Sequence, residues 1–177
     1  MKNILVATDL SPNSDRAIER AISISKNSGA KLHLVHVTDA VRVPGRGKAV
    51  TTLQTELLGT IRNYLDTFKG ADDVAFESHV ISGDVFSEII QVSSNIDADL
   101  IVMGMHNKVG FKDLFVGTTV ERVIRKGVKP VLMVKKRPKD KYFSVVAGCD
   151  FSASSHEAFQ TVLKLAPEAK YKLIHAY

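Results

Sequence analysis

The residues of this chain best placed to do chemistry lie between Gly104 and Thr118, in the segment GMHNKVGFKDLFVGT. An apolar run, Leu100 to Met103, leads into it, and a helix-like run from Thr119 to Ile124 leads out. A strand that empties into a glycine-bearing loop and then a helix N-terminus builds an anion site. The helix end offers unpaired N–H groups and a partial positive charge. The chemistry suggested is the holding of a phosphate. Thr118 also has a purely structural reading. Thr118-x-x-Glu121 has the form of a capping box, in which the hydroxyl oxygen accepts the Glu121 N–H. The two roles are compatible, since a hydroxyl that accepts there can still donate to a phosphate. Glu121 weakens anion binding slightly at the same helix end.

Other chemistries find less support. There is no GxxxxGK[ST] lysine loop, no acidic pair suited to two metals and no convincing catalytic base. His106 reads as an exposed loop histidine in preference to a phosphate ligand. His33, His36, His79, His156 and His175 show no ligand spacing, and no Cys/His cluster has the spacing of a metal site. The single cysteine, Cys149, excludes an internal disulfide framework and fits a reducing cytoplasm. It stands at the end of an expected buried strand, where an inert thiol is the default.

The elements that must position the Gly104–Thr118 segment come from hydrophobic patterning. At 177 residues, with 45% apolar and 24% charged residues, the chain can build one ordinary globular domain with an extension. No apolar run is long enough to span a membrane, and the N-terminus lacks signal-peptide character. The net charge of +5 is concentrated. From Lys108 to Lys141 there are eleven Lys or Arg against three Asp or Glu. Without interleaved aromatic residues this reads as a solvated face and linker in preference to a nucleic-acid site.

Five short apolar runs, Ile4–Ala7, Leu32–Val37, Val74–Ile81, Leu100–Met103 and Val131–Val134, suit strands buried on both faces. Helical patterns separate them. Ser11-Pro12 starts the first helix and Gly29 ends it. The second runs through Val50, Leu53, Leu57, Ile61, Leu65 and Phe68 to Gly70, and the third through Val85, Ile89, Ile90 and Ser93. Thr118 to Lys126, closed by Gly127, is the fourth. The order βαβαβαβαβ implies an α/β domain with an open parallel sheet and helices on both faces. Residues 38–48, with Pro44, Gly45 and Gly47, read as an exposed, mobile, basic loop.

After Pro138 the pattern restarts. Ser144-Val-Val-Ala-Gly-Cys-Asp-Phe-Ser mirrors Ile4-Leu-Val-Ala-Thr-Asp-Leu-Ser with a one-residue shift. Asp150 and Ser152 repeat Asp9 and Ser11, and Ala169-Lys-Tyr-Lys-Leu-Ile-His repeats Ala30-Lys-Leu-His-Leu-Val-His. The internal repeat has a period of about 140 residues, and its second copy covers only strand, helix and strand. Such a piece buries too little apolar surface to be stable by itself. The expected organisation is a complete domain over 1–136, a linker over 137–141 and a partial second copy over 142–177, as in a fragment of a tandem protein.

These residues together resemble the universal stress protein family. The opening Ile-Leu-Val-Ala-Thr-Asp-Leu-Ser, Leu34-Val-His-Val, the stretch from Met103 to Thr118 and Lys129-Pro-Val-Leu-Met-Val134 carry the likeness. It implies a five-stranded Rossmann-like sheet of the adenine nucleotide alpha hydrolase type, in the order 3-2-1-4-5. Many members bind ATP through G-x-x-G-x9-G-[S/T]. Here Gly104-Met-His-Asn107 is followed by nine residues and then Gly117-Thr118, so the spacing is kept and the second glycine is Asn107. Asparagine is the best replacement if a positive φ is needed there, and an obstruction if a phosphate must touch bare backbone.

By that resemblance the first and fourth strands are neighbours, and a ligand lies beyond their carboxyl ends. Ala7, Thr8 and Asp9 line one edge. Asp9 either sits beside the nucleoside or only ties down turn N–H groups. Val37 offers backbone to the adenine. Met103, read also as core, Gly104, Asn107, Gly117, Thr118 and Thr119 surround ribose and phosphates. The implied cofactor is ATP, with or without Mg2+. The implied function is a cytoplasmic stress-response regulatory module, with at most slow ATP hydrolysis. The alternative is a nucleotide-free dimerisation or adaptor domain. The edge strand Pro130–Lys135 is the expected pairing surface, in a homodimer or a tandem pseudo-dimer.

Overall fold

The computed structural model describes residues 1–38, 47–105, 118–139 and 141–175. Two compact units divide the chain, Met1–Arg137 and Pro138–Tyr177. The first unit runs β1 (Asn3–Thr8), α1 (Pro12–Ser28), β2 (Lys31–Thr38), α2 (Gly47–Leu65), β3 (Phe76–Ser82), α3 (Val85–Asn95), β4 (Leu100–Gly104), α4 (Thr119–Lys126) and β5 (Val131–Val134). Its strands form one parallel sheet in the order β3-β2-β1-β4-β5. The expected fold class and strand order are both present.

Register divides the core between the two faces of that sheet, because successive side chains on a strand point to opposite sides. Leu5, Val35, Ile101 and Met103 share one face with Ile89 and Val92 of α3 and Val123 of α4. Ile4, Val6, Leu32 and Leu34 alternate with them and are fully buried on the other face, as are Ile18 of α1 and Ile61 and Leu65 of α2. Each such side chain contributes about 1.5–3 kcal/mol relative to exposure. Burial on both faces explains why the strands read as continuous apolar runs.

Two boundaries and one helix cap differ from the sequence reading. Val74 belongs to no strand. A 3-10 turn covers Ala71–Asp73, Val74 closes it, and β3 begins only at Phe76. The turn starts at Gly70, whose φ of 83° is a left-handed conformation that favours glycine. Helix α2 begins at Gly47, so the expected loop loses its last two residues to the helix and Thr38 to β2; the rest of it lies outside the described residues. Helix α1 starts after Ser11 as expected, but Ser11 makes no side-chain cap bond. The Ser14 hydroxyl instead donates to the Ser11 carbonyl at 2.8 Å.

The second unit has two parallel strands, β6 (Ser144–Gly148) and β7 (Lys170–Ile174), joined by α5 (Ala153–Leu165). Burial there is slight. None of α5 is buried, and Val146 and Leu173 are 62% and 57% exposed. The expected buried strand before Cys149 is therefore corrected: β6 alternates between exposed and half-buried residues, and Cys149 is half-buried.

Candidate functional site

Strand β1 ends in a turn built from its own side chains. The Thr8 hydroxyl accepts the Leu10 N–H at 3.0 Å and donates to the Ser14 hydroxyl at 2.9 Å. Asp9 Oδ1 accepts the Ser11 N–H at 3.0 Å, the turn bond expected of aspartate. Leu10 takes a left-handed φ of 59°, uncommon for a leucine, and these bonds hold it there. From β2, His36 Nδ1 lies 2.9 Å from the Thr8 carbonyl oxygen and donates to it. The turn thus delivers Asp9 exposed at the carboxyl end of the sheet, with the first turn of α1 directly after it.

Strand β4 ends beside that turn. A Cβ placed on Gly104 would come within 2.4 Å of the Asn13 carbonyl oxygen and 3.0 Å of the Ser14 Cα. Glycine is therefore required where α1 crosses the end of β4, independently of any ligand. The ladder continues one residue further, the Met105 N–H donating to Val134 at 3.1 Å. Arg16 ties the same corner together, donating to the Lys135 carbonyl at 2.7 Å and to Asn13 Oδ1 at 2.9 Å.

Beyond these strand ends lies a cavity of about 280 Å3. Ala7, Thr8, Asp9, Val37, Met103, Gly104, Thr118 and Thr119, eight of the ten residues named from sequence, line it. The other two, Asn107 and Gly117, fall outside the described residues, as does His106. The cavity lies where the sheet order reverses between β1 and β4, the usual ligand crevice of an open α/β sheet. Its volume is close to the lower end of the roughly 300–1,000 Å3 typical of small-molecule sites.

Sequence reading missed Asn13, Ser14, Val35, Val85, Ile89 and Val120 in the lining. Val35 shares the face of Val37, two residues away, so strand alternation held the signal. Val85 and Ile89 read only as markers of the third helix. Asn13 and Ser14 carried no signal beyond following the helix start. Their presence reveals that the first turns of α1, α3 and α4 all reach the cavity, giving it the partial positive charge of three helix N-termini.

The amino ends of α3 and α4 are capped by side chains. Asp84 accepts the Ser87 N–H at 2.9 Å and its hydroxyl at 2.8 Å. Those bonds, with Arg122 nearby, hold its carboxyl below the usual range. Thr118 Oγ1 accepts the Glu121 N–H at 3.2 Å, as the capping reading expects. The N–H groups of Thr119 and Val120 precede that bond and have no carbonyl one turn back inside the helix. Glu121 turns its carboxylate to Arg125, 2.8 Å away, which offsets the charge it brings to this helix end.

The structure also gathers residues that sequence reading left apart. His33, Glu77 and His79 form a cluster across β2 and β3, although 44 positions separate the first two. The absence of linear ligand spacing concealed it.

The universal stress protein family model matches residues 1–135, most of the chain and the whole sheet of the first unit. The chain belongs to the universal stress protein family. Among its relatives, universal stress protein MJ0577 of Methanocaldococcus jannaschii is 28% identical, covering 77% of this chain and 96% of that protein. Universal stress protein MJ0531 of the same organism is 31% identical over 78% of this chain and 85% of that protein. The solved structure of MJ0577 superposes with a TM-score of 0.59 at 26% identity, covering 78% of this chain and 98% of that one. A universal stress protein solved in complex with cAMP has a TM-score of 0.63, covering 77% and 98%; at 24% identity it attests the fold. Among the described residues no helix is long and apolar enough to cross a membrane.

Proposed function

We propose that this universal stress protein is an ATP-binding regulatory module, whose nucleotide state changes a surface offered to a partner or a second copy. The observation that carries the reading is the meeting of three helix N-termini on one cavity at the β1/β4 switch point. Adenine and ribose belong against the apolar part of the lining, near Val37 and Met103. The phosphates belong at the amino end of α4, where Thr118 can donate its hydroxyl hydrogen while accepting from Glu121. Asn107 and Gly117 join them by the loop pattern alone. A nucleotide site beside the β4 end can reach the neighbouring edge strand β5, whose unpaired backbone groups suit pairing with a second copy. The alternative is a nucleotide-free dimerisation domain, and Gly104 favours it in one respect: packing against Asn13 already accounts for that glycine.

Calorimetric titration with Mg-ATP and, separately, with adenosine tests the reading. Thr119→Glu places a carboxylate at the first position of α4. That change suits the helix dipole and so preserves the fold, but it repels phosphate. ATP affinity is expected to fall at least about tenfold, roughly 1.4 kcal/mol, with adenosine affinity and Tm maintained. Absence of saturable ATP binding in the unaltered protein, or equal weakening of ATP and adenosine, contradicts the assignment.

A further inference from the structure

Toward the amino ends of β2 and β3, three potential metal ligands share one face of the sheet. His33 pairs directly with Glu77 in the parallel register, and His79 is two residues further along β3, so it projects to the same side. His33 Nδ1 and His79 Nε2 are 3.1 Å apart. The Glu77 oxygens lie 4.0 Å from His33 Nδ1 and 3.9 Å from His79 Nε2. The imidazoles stack with centroids 5.4 Å apart. We propose that His33, Glu77 and His79 bind a divalent transition-metal ion of the zinc class.

The geometry is close to what such an ion requires. Metal–ligand bonds of about 2.0–2.2 Å in tetrahedral array put ligand atoms roughly 3.3–3.6 Å from one another. The two nitrogens already meet that spacing to within a few tenths of an ångström. The carboxylate must close by about half an ångström on the same reckoning, and the half-exposed Glu77 side chain has room to turn.

A second layer of contacts orients the buried histidine. Asn3 donates from Nδ2 to the Ile96 carbonyl at 2.8 Å, which leaves its Oδ1 facing His33 Nε2 at 3.3 Å. The His33 proton is therefore placed on Nε2, and the Nδ1 lone pair points into the cluster. A histidine whose far nitrogen donates to a fixed carbonyl is the usual arrangement of a metal ligand. Without metal, the His79 Nε2–H donates to His33 Nδ1. On binding, that proton passes through solvent to His79 Nδ1, so both nitrogens offer lone pairs and no net proton is lost.

Two imidazoles and one carboxylate select zinc, cobalt, nickel or copper over magnesium and calcium, which prefer oxygen ligands. The partly exposed side of the cluster leaves the fourth position to water. Lys31 Nζ, 2.6 Å from Glu77 Oε2, is the built-in competitor. It must yield the carboxylate when the ion enters. A bound ion would pin the edge strand β3 to β2.

The full chain, stripped with chelator, is titrated with cobalt(II) chloride in the visible range, and the band is then displaced with zinc. One equivalent of cobalt is expected to give an intense low-coordinate band that zinc removes and a large excess of magnesium does not. His79→Ala, which keeps the buried His33 in place, is expected to abolish the band with an unchanged circular dichroism spectrum. Glu77→Gln is expected to weaken binding about tenfold or more. Lys31→Met is expected to tighten it, since the competing cation is gone. No band in the unaltered protein overturns the proposal. So does a band undiminished by His79→Ala, or affinity lowered by Lys31→Met.

Discussion

The same turn is built twice in this chain, once in each unit, and the two copies border cavities with different walls. In the first, the Thr8 hydroxyl holds the Leu10 N–H, Asp9 holds the Ser11 N–H, and His36 reaches the Thr8 carbonyl. In the second, Cys149 Sγ accepts from Phe151 at 3.4 Å, Asp150 holds the Ser152 N–H at 3.0 Å, and His175 lies 2.6 Å from the Cys149 carbonyl. Leu10 and Phe151 share the left-handed φ, 59° and 62°. Asp150 is drawn down to about 2 by hydrogen bonds from Ser152 and Ser155. So the aspartate turn belongs to the β-strand-to-helix joint itself and needs no ligand to explain it. What distinguishes the first copy is its neighbourhood. There β4, α3 and α4 join the turn around its cavity, whereas the cavity beside the second turn is lined only from β6, α5 and β7. Any binding specificity must come from those added walls.

That comparison is most strongly tested in the two strands. Leu5 is fully buried, and its counterpart, counted back from the aspartate, is Val146 at 62% exposure. Leu5→Ala is expected to cost about 2–5 kcal/mol in denaturant unfolding. Val146→Ala is expected to stay within about 0.5 kcal/mol. Equal costs would mean that the second strand is as deeply packed as the first. Next in size is the strand-end glycine. Gly104→Ala drives a methyl into the Asn13 backbone and is expected to cost about 1–3 kcal/mol. Gly148 has open space around it, so Gly148→Ala should leave the melting temperature nearly unchanged. The smallest effect is an exchange at the turn. Thr8→Cys replaces two oxygen hydrogen bonds by longer sulfur contacts of the kind Cys149 makes, at 3.4 and 3.9 Å. The expected loss is about 1 kcal/mol. Cys149→Thr should move in the opposite direction, and a loss in both variants would show that the two turns are not interchangeable.

Much of this was legible in the chain because each piece of it was local. The strand-helix alternation, the Gly29 and Gly127 stops, the Thr118 cap and the repeated aspartate turn all depend on neighbours a few positions apart. Their physics is contained in short windows. What was not legible depended on register and crossing. The three histidine-cluster ligands meet only because β2 and β3 pair with His33 opposite Glu77. Asn13 enters the cavity because α1 crosses the end of β4, a contact that Gly104 permits and no spacing announces. Val74 looked like strand because it is apolar, yet it closes the turn that starts at Gly70; turn chemistry won over hydrophobicity. Cys149 was expected to follow a buried strand because apolar runs usually report burial. In a two-stranded unit there is little to be buried against.

The central claim is that the first copy of the turn holds an adenine nucleotide. It is met most directly by purifying the full chain under native conditions, denaturing it, and identifying what is released by mass spectrometry. ATP or its hydrolysis product is expected in a substantial fraction of molecules. If no nucleotide is released, and millimolar Mg-ATP then leaves the melting temperature where it was, the claim is wrong.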